Sequence, residues 1–284
     1  MKKQMPDAKV ILFNAAALMI GVTAVAAVVR SFVFSPGSAP CSERYTSSTS
    51  FAVERGGVVL SAADLQSGLG GKDAGVIENL TISKLRDAPA PIAMTVSLPR
   101  GSTFPHASTS PRGGMTFPWE TRLLRGKSAG CLSYSVLVPA DFEFGRGGAL
   151  PGLSGSDAEG RTRDGFVARM AWRHGGSGGA TLRFKSDGET RSTLADRDGF
   201  AFPRGRWVRL EQEVVLNTPK QADGILRVWV DGWLAIDRTD MTYRTRSDVT
   251  LSGVAADVFY GSEEGGGLAP ADTKVSLTPF ELRW

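Results

Sequence analysis

Four cationic side chains recur at alternate positions over two neighbouring segments. Arg169 and Arg173 lie in GFVARMAWR (165–173), and Arg183 and Lys185 lie in ATLRFK (180–185). Successive residues of a strand point to opposite faces. In the first segment Phe166, Ala168, Met170 and Trp172 share one apolar face, and Val167, Arg169, Ala171 and Arg173 share the other. In the second, Ala180, Leu182 and Phe184 turn inward while Thr181, Arg183 and Lys185 turn outward. The intervening HGGSGG (174–179) is mostly glycine and reads as a six-residue turn. Paired as a hairpin, the outward face gathers four cations with no acid among them. Like charges on facing strands repel, so folding alone gives no reason for the arrangement. An anionic ligand along the sheet gives one, because guanidinium forks match carboxylates. Acids donated by a third strand are the structural alternative.

Other chemistry is poorly supported. Two histidines and two cysteines are too few for a zinc centre, so neither a metal nor a cofactor is expected. GLSGS (152–156) is not a nucleophile elbow, and GLGGKD (68–73) lacks the first glycine and the Ser/Thr of a phosphate loop. His174, beside the glycine turn, reads as a solvated loop residue. Glu211 and Glu213 share a strand face, roughly 6.5–7 Å apart by the strand rise. That is wide for a retaining glycosidase pair. Arg209 on the same face points to structural ion pairing.

The elements that must carry these residues are strands. Glycine makes up 34 of 284 residues, and Asp-Gly, which suits tight hairpin turns, occurs at Asp164, Asp187, Asp198, Asp223 and Asp231. Strand-like runs recur at 93–98, 132–138, 207–216 and 225–237, the last a hairpin turning at Asp231-Gly232, with further runs near the C-terminus. Pro105 to Pro111 reads as a loop. The expectation is an all-β sandwich or jelly roll in one domain, residues 51–284. The net charge is +4, of which residues 1–30 hold +3 (Lys2, Lys3, Lys9 and Arg30 against Asp7). A near-neutral body excludes a general nucleic-acid binder. Val10 to Val29 runs twenty residues without a charge, about 30 Å as a helix. Residues 1–34 are therefore expected to act as a signal anchor, with a cleaved signal peptide as the alternative. The lysines would stay in the cytoplasm, placing the body outside and giving the chain a membrane contact. Residues 35–50, rich in Ser, Pro and Gly, read as a linker. Outside the cytoplasm Cys41 and Cys131 are expected to pair.

Several ordered segments resemble polysaccharide lyase family 14, the alginate-lyase-like β-jelly rolls. They are LSYSVLVPADFEFGRGGALPGL (132–153), GFVARMAWR (165–173), VVLNTPKQADGILRVWVDGWLAIDR (214–238) and DVFYGS (257–262). The resemblance implies a concanavalin-A-like β-jelly-roll sandwich acting on a uronate-containing polysaccharide by β-elimination. That step removes a proton beside a carboxylate, and needs the carboxylate neutralised, a base, and an acid for the departing oxygen. The family is understood to use a Lys before Leu-Pro-Gly, a Ser-x-Arg on one strand and a Tyr-x-Tyr on the next. Here those positions carry Ala149, Val167 with Arg169, and, with no gap in the turn, Thr181 with Arg183. Arg169 is the expected catalytic cation, and Arg173, Thr181, Arg183 and Lys185 are expected to bind substrate. With the Lys, Ser and Tyr positions changed, Tyr134 or Tyr260 would have to supply proton transfer and Arg146 the missing charge. The expectation is a divergent lyase-like protein that binds, and cleaves only if such substitutes work, an acidic polysaccharide. The alternative is a non-catalytic glycan-binding or structural protein of an envelope polysaccharide system.

Overall fold

The computed structural model describes residues 39–107, 111–157, 165–186, 188–262 and 266–284, with backbone alone at 196–199. The expected anchor, residues 1–34 with its apolar run, lies outside the described residues. No described helix is long and apolar enough to cross a membrane.

In chain order the strands are β1 (Ser48–Ser50), β2 (Glu54–Arg55), β3 (Val58–Val59), β4 (Leu80–Ser83), β5 (Ala93–Leu98) and β6 (Pro118–Glu120). Then follow β7 (Ala129–Leu137), β8 (Gly147–Ser156), β9 (Gly165–Arg173), β10 (Ser177–Ser186), β11 (Glu189–Ala201) and β12 (Trp207–Val215). The last are β13 (Gly224–Val230), β14 (Trp233–Met241), β15 (Thr250–Ala255), β16 (Phe259–Tyr260), β17 (Thr273–Leu277) and β18 (Glu281–Arg283). One antiparallel sheet runs β14-β13-β12-β7-β17-β5-β4, with β18 also on β7 and β1 on β18. The other runs β11-β10-β9-β8-β15-β6, with β16 beside β8. The main buried apolar cluster draws on both sheets, as expected for a β-sandwich. The inward face read from alternation is its wall: Phe166, Ala168, Met170, Trp172, Ala180, Leu182 and Phe184 are all buried. Asp231 and Gly232 take positive φ (49° and 84°) at the β13–β14 turn, the conformation a two-residue hairpin requires.

Strand β8 sets the site. Its pairing with β9 slips between Leu150 and Gly152, at Pro151. Proline has no N–H for the ladder, so a central strand accommodates it only at such an irregularity. The polar groups the slip leaves inside are met from the opposite sheet. Tyr134 donates to the Pro151 carbonyl at 2.9 Å, and Gln212 accepts from the Leu153 N–H at 2.8 Å while donating to the Ala168 carbonyl at 2.8 Å. Gln212 is 1% exposed, and a buried polar group persists only when its bonds are made. Glycine at 148 admits the Trp172 ring, which a Cβ there would meet at 2.1 Å.

The segment read as a linker is structural from Pro40 onward, where one compact unit begins. Ser48–Ser50 pairs with β18 through its backbone, and a 3-10 turn at Cys41–Glu43 lies on the outer face of β12. Cys41 is bonded to Cys131 of β7. Ser42 donates its N–H and hydroxyl to Glu211, each at 3.0 Å. Arg44 and Tyr45 reach Glu213 at 2.8 Å, and Arg227 also bridges it. Arg209 takes Glu211. The two carboxylates are thus buried ion-pair partners under a strap, as Arg209 suggested, and have no open face for catalysis. Two short helices, α1 (Ala62–Leu69) and α2 (Val76–Asn79), interrupt the β pattern. Helix α1 begins with a reciprocal Ser61–Asp64 capping box, a signal present in the sequence as S-A-A-D.

Candidate functional site

The outward side chains of β9 and β10 do meet, and in ungapped register. Thr181 faces Arg169, and Arg183 faces Val167. On the other side of β9, Ala149 of β8 faces Ala171 and Gly152 faces Arg169. Their common face forms a groove of two joined hollows. The first, of about 350 Å³, is lined by Arg146, Ala149, Arg173 and Thr181 among others. The second, of about 260 Å³, is lined by Phe117, Ser154, Val167, Lys185 and Asp257 among others. Arg169 and Arg183 line both, so the hollows meet at these two guanidinium groups.

The turn into β10 is shorter than the expected six residues. His174–Gly176 forms a 3-10 turn, Gly175 and Gly176 take positive φ (74° and 90°), and Ser177–Gly179 already belong to the strand. His174 is exposed, with Nδ1 3.0 Å from the Gly145 carbonyl, which ties it to the loop before β8.

The face is not free of acids. Asp257, from the segment between β15 and β16, accepts from the Arg169 guanidinium and from the Thr116 hydroxyl. Its side chain is 1% exposed, against 15% for Arg169. A hairpin's own alternation could not reveal a carboxylate arriving from another segment. Yet one sequence signal existed: Asp257 stands alone in the apolar run Val254–Tyr260, and a lone buried acid needs a cation. Arg169 is thereby held in one orientation. Arg173 donates to Thr181 at 3.3 Å, drawing another cation toward the first hollow, while Lys185 is exposed at the edge of the second.

The two candidate replacement tyrosines lie elsewhere. Tyr134 and Tyr260 point into the core, 2% and 1% exposed. The Tyr260 hydroxyl is donated to the Glu143 carbonyl at 2.5 Å, as that of Tyr134 is to Pro151. Burial pushes both hydroxyls above their ordinary value of 10.0. Neither can deliver a proton to a groove ligand. Arg146 does reach the hollow that contains Ala149. Among the described residues, the cluster whose composition would suit a metal is Cys41, Cys131 and Glu211. Its two thiols are consumed in the disulfide.

The model of the family Polysaccharide lyase 14 matches residues 87–278, about two thirds of the chain. The chain belongs to this family. Its fold is similar to that of the marine PL-14 alginate lyase from Aplysia kurodai, with TM-score 0.66 at 21% identity over 84% of this chain and 98% of that one. It is also similar to alginate lyase vAL-1 from Chlorella virus, with TM-score 0.63 at 19% identity over 78% and 96%. A further similar structure is the endo-β-1,4-glucuronan lyase from the fungus Trichoderma reesei, with TM-score 0.54 at 9% identity over 72% and 88%. No curated protein sequence matches the chain significantly. This family member shares the fold of these lyases. The positions expected to carry Lys, Ser, Tyr and Tyr are the groove residues Ala149, Val167, Thr181 and Arg183.

Proposed function

We propose that this family member binds an acidic polysaccharide without cleaving it by the family's route. The observation that carries this reading is the replacement of the expected proton-transfer side chains by Ala149, Val167, Thr181 and Arg183, inside a groove that adds cations. β-Elimination from a uronate needs a base at the acidic carbon and an acid at the departing oxygen. Alanine and valine supply neither, and arginine stays protonated. What the groove offers is charge-assisted, fork-shaped hydrogen bonding from Arg146, Arg173 and Arg183 around the fixed Arg169, which suits a row of carboxylates. The pairing with Asp257 holds Arg169 in place among them.

Titration of polyuronates against wild type and an Arg173→Ala/Arg183→Ala variant tests the reading. Arg169 is spared because removing it would leave Asp257 buried without its cation, at a cost of about 3–5 kcal/mol. The variant is expected to keep its melting temperature and lose affinity at least tenfold, and wild-type binding is expected to weaken as salt screens the contact. Equal affinity in both proteins would reduce these arginines to a solvated face. Growth of C=C absorbance with the wild type would make the chain a working lyase instead.

The same reading places the body outside the cytoplasm, supported by the disulfide and by the uncharged run 10–29. Cell fractionation is expected to recover the full chain with membranes. Quantitative recovery as a soluble form would remove the anchor from this reading.

A further inference from the structure

Beyond the two hollows at Arg169, a third of about 590 Å³ lies where β6 runs into the 3-10 turn Arg122–Leu124. It is continuous with the groove, since Glu120, Ser156 and Ser252 line both it and the second hollow. Glu120 is bridged by Lys72 at 3.2 Å, and Asp248 is held by Arg246. Asp157 also lines it, together with two exposed arginines, Arg122 and Arg125. Leu123, between them, is 52% exposed, although Leu124 beside it is fully buried. The turn therefore presents two guanidinium groups and an apolar side chain to solvent at the groove's end, anchored by Leu124 beneath.

We propose that this third hollow is an outlying subsite for the same acidic glycan, with Arg122 and Arg125 taking carboxylates of sugars beyond those held at Arg183. The inference rests on the proposed binding function and adds to it the length of the ligand. From β11 to β6 the sheet crosses five strand spacings, about 24 Å. That is several sugar rings. A groove with cations at both ends and in the middle gains little from a short fragment and binds the interior of a long chain. Leu123 adds an apolar contact for a sugar face at the rim. The expected specificity is for polymers of repeated uronates over isolated sugars or chain ends.

The experiment measures affinity against length. Size-fractionated oligouronates prepared from alginate and from glucuronan, two to ten sugars long, are titrated against wild type and an Arg122→Ala/Arg125→Ala variant. Both side chains are exposed, so the variant is expected to melt with the wild type. Wild-type affinity is expected to keep rising with length through the longest fractions. The variant is expected to match wild type on the shortest oligomers, stop gaining at intermediate length, and fall about tenfold below it on the longest. Its salt dependence on long oligomers is expected to be shallower. Identical length dependence in the two proteins overturns the subsite while leaving the central groove intact. Failure of the wild type to bind any fraction overturns the subsite together with the function it rests on.

Discussion

Exchanging both Cys41 and Cys131 for serine is expected to lower the stability of the chain by about 4–5 kcal/mol. The bond closes a loop of 90 residues, and chain-entropy arguments give that magnitude for so long a loop. The structure adds a local reason for the effect to be large. The bond pins the strap that brings Ser42 to Glu211 and Arg44 and Tyr45 to Glu213. Glu213 is 1% exposed, and a buried carboxylate that loses its partners is costly. Tyr45 shares in this: burial and the Glu213 charge raise its hydroxyl above the ordinary 10.0, so it remains a donor to the carboxylate. Urea unfolding at neutral pH reads the effect as a lower midpoint. Denatured, unreduced wild type is expected to take up no thiol label. A midpoint shift worth less than about 1 kcal/mol would mean that the strap stays docked through its hydrogen bonds alone.

How far the sequence disclosed the molecule depended on which forces left a trace in residue types. β9, β10, β12 and the β13–β14 hairpin alternate or carry a turn dipeptide, and each was legible. β8 was not legible as a strand, because several of its positions are glycines. A Cβ at Gly148 or Gly155 would collide with the rings of Trp172 or Phe166, at 2.1 Å in each case. The strand's side of the packing is thus an absence of side chain, which a hydropathy pattern cannot register. β11 escaped for a different reason: it lies at the sheet's edge, its pairing with β10 is made by backbone, and its sequence ETRSTLADRDGFA is mostly polar. β1 is three residues of Ser and Thr held by β18, and so looked like linker. The groove's cations were legible from alternation, and their lyase-like positions from the family resemblance. The pairing of Asp257 with Arg169 was not, because it spans 88 residues of chain.

Putting the family's expected side chains back is expected to raise lyase activity well above that of the wild type. The variant is Ala149→Lys, Val167→Ser, Thr181→Tyr and Arg183→Tyr together. The argument is geometric. Arg169 and Thr181 are directly opposed, Val167 and Arg183 are opposed two residues away, and Ala149 lies across β9 on the same groove wall. The backbone positions that the family resemblance assigns to proton transfer thus lie together on one groove wall. Each such group typically contributes about 10²–10⁴-fold, so single replacements should remain near background while the combination rises well above it. Two features of this chain set the limits. Phe259 faces Ala149 in register, so the lysine must extend along the hollow rather than across it. Asp257 already holds Arg169, which weakens its pull on a substrate carboxylate. Absorbance of new C=C bonds on polyuronate reads the gain, with thermal melts confirming the fold. Adding Arg169→Lys should remove most of that gain, because a point charge keeps the pairing with Asp257 but not the bidentate fork. A combined variant that folds, binds polyuronate and still forms no C=C bond would trace its inactivity to the orientation of Arg169 rather than to the proton-transfer positions. Asp257→Asn in that background would then be the change expected to release it.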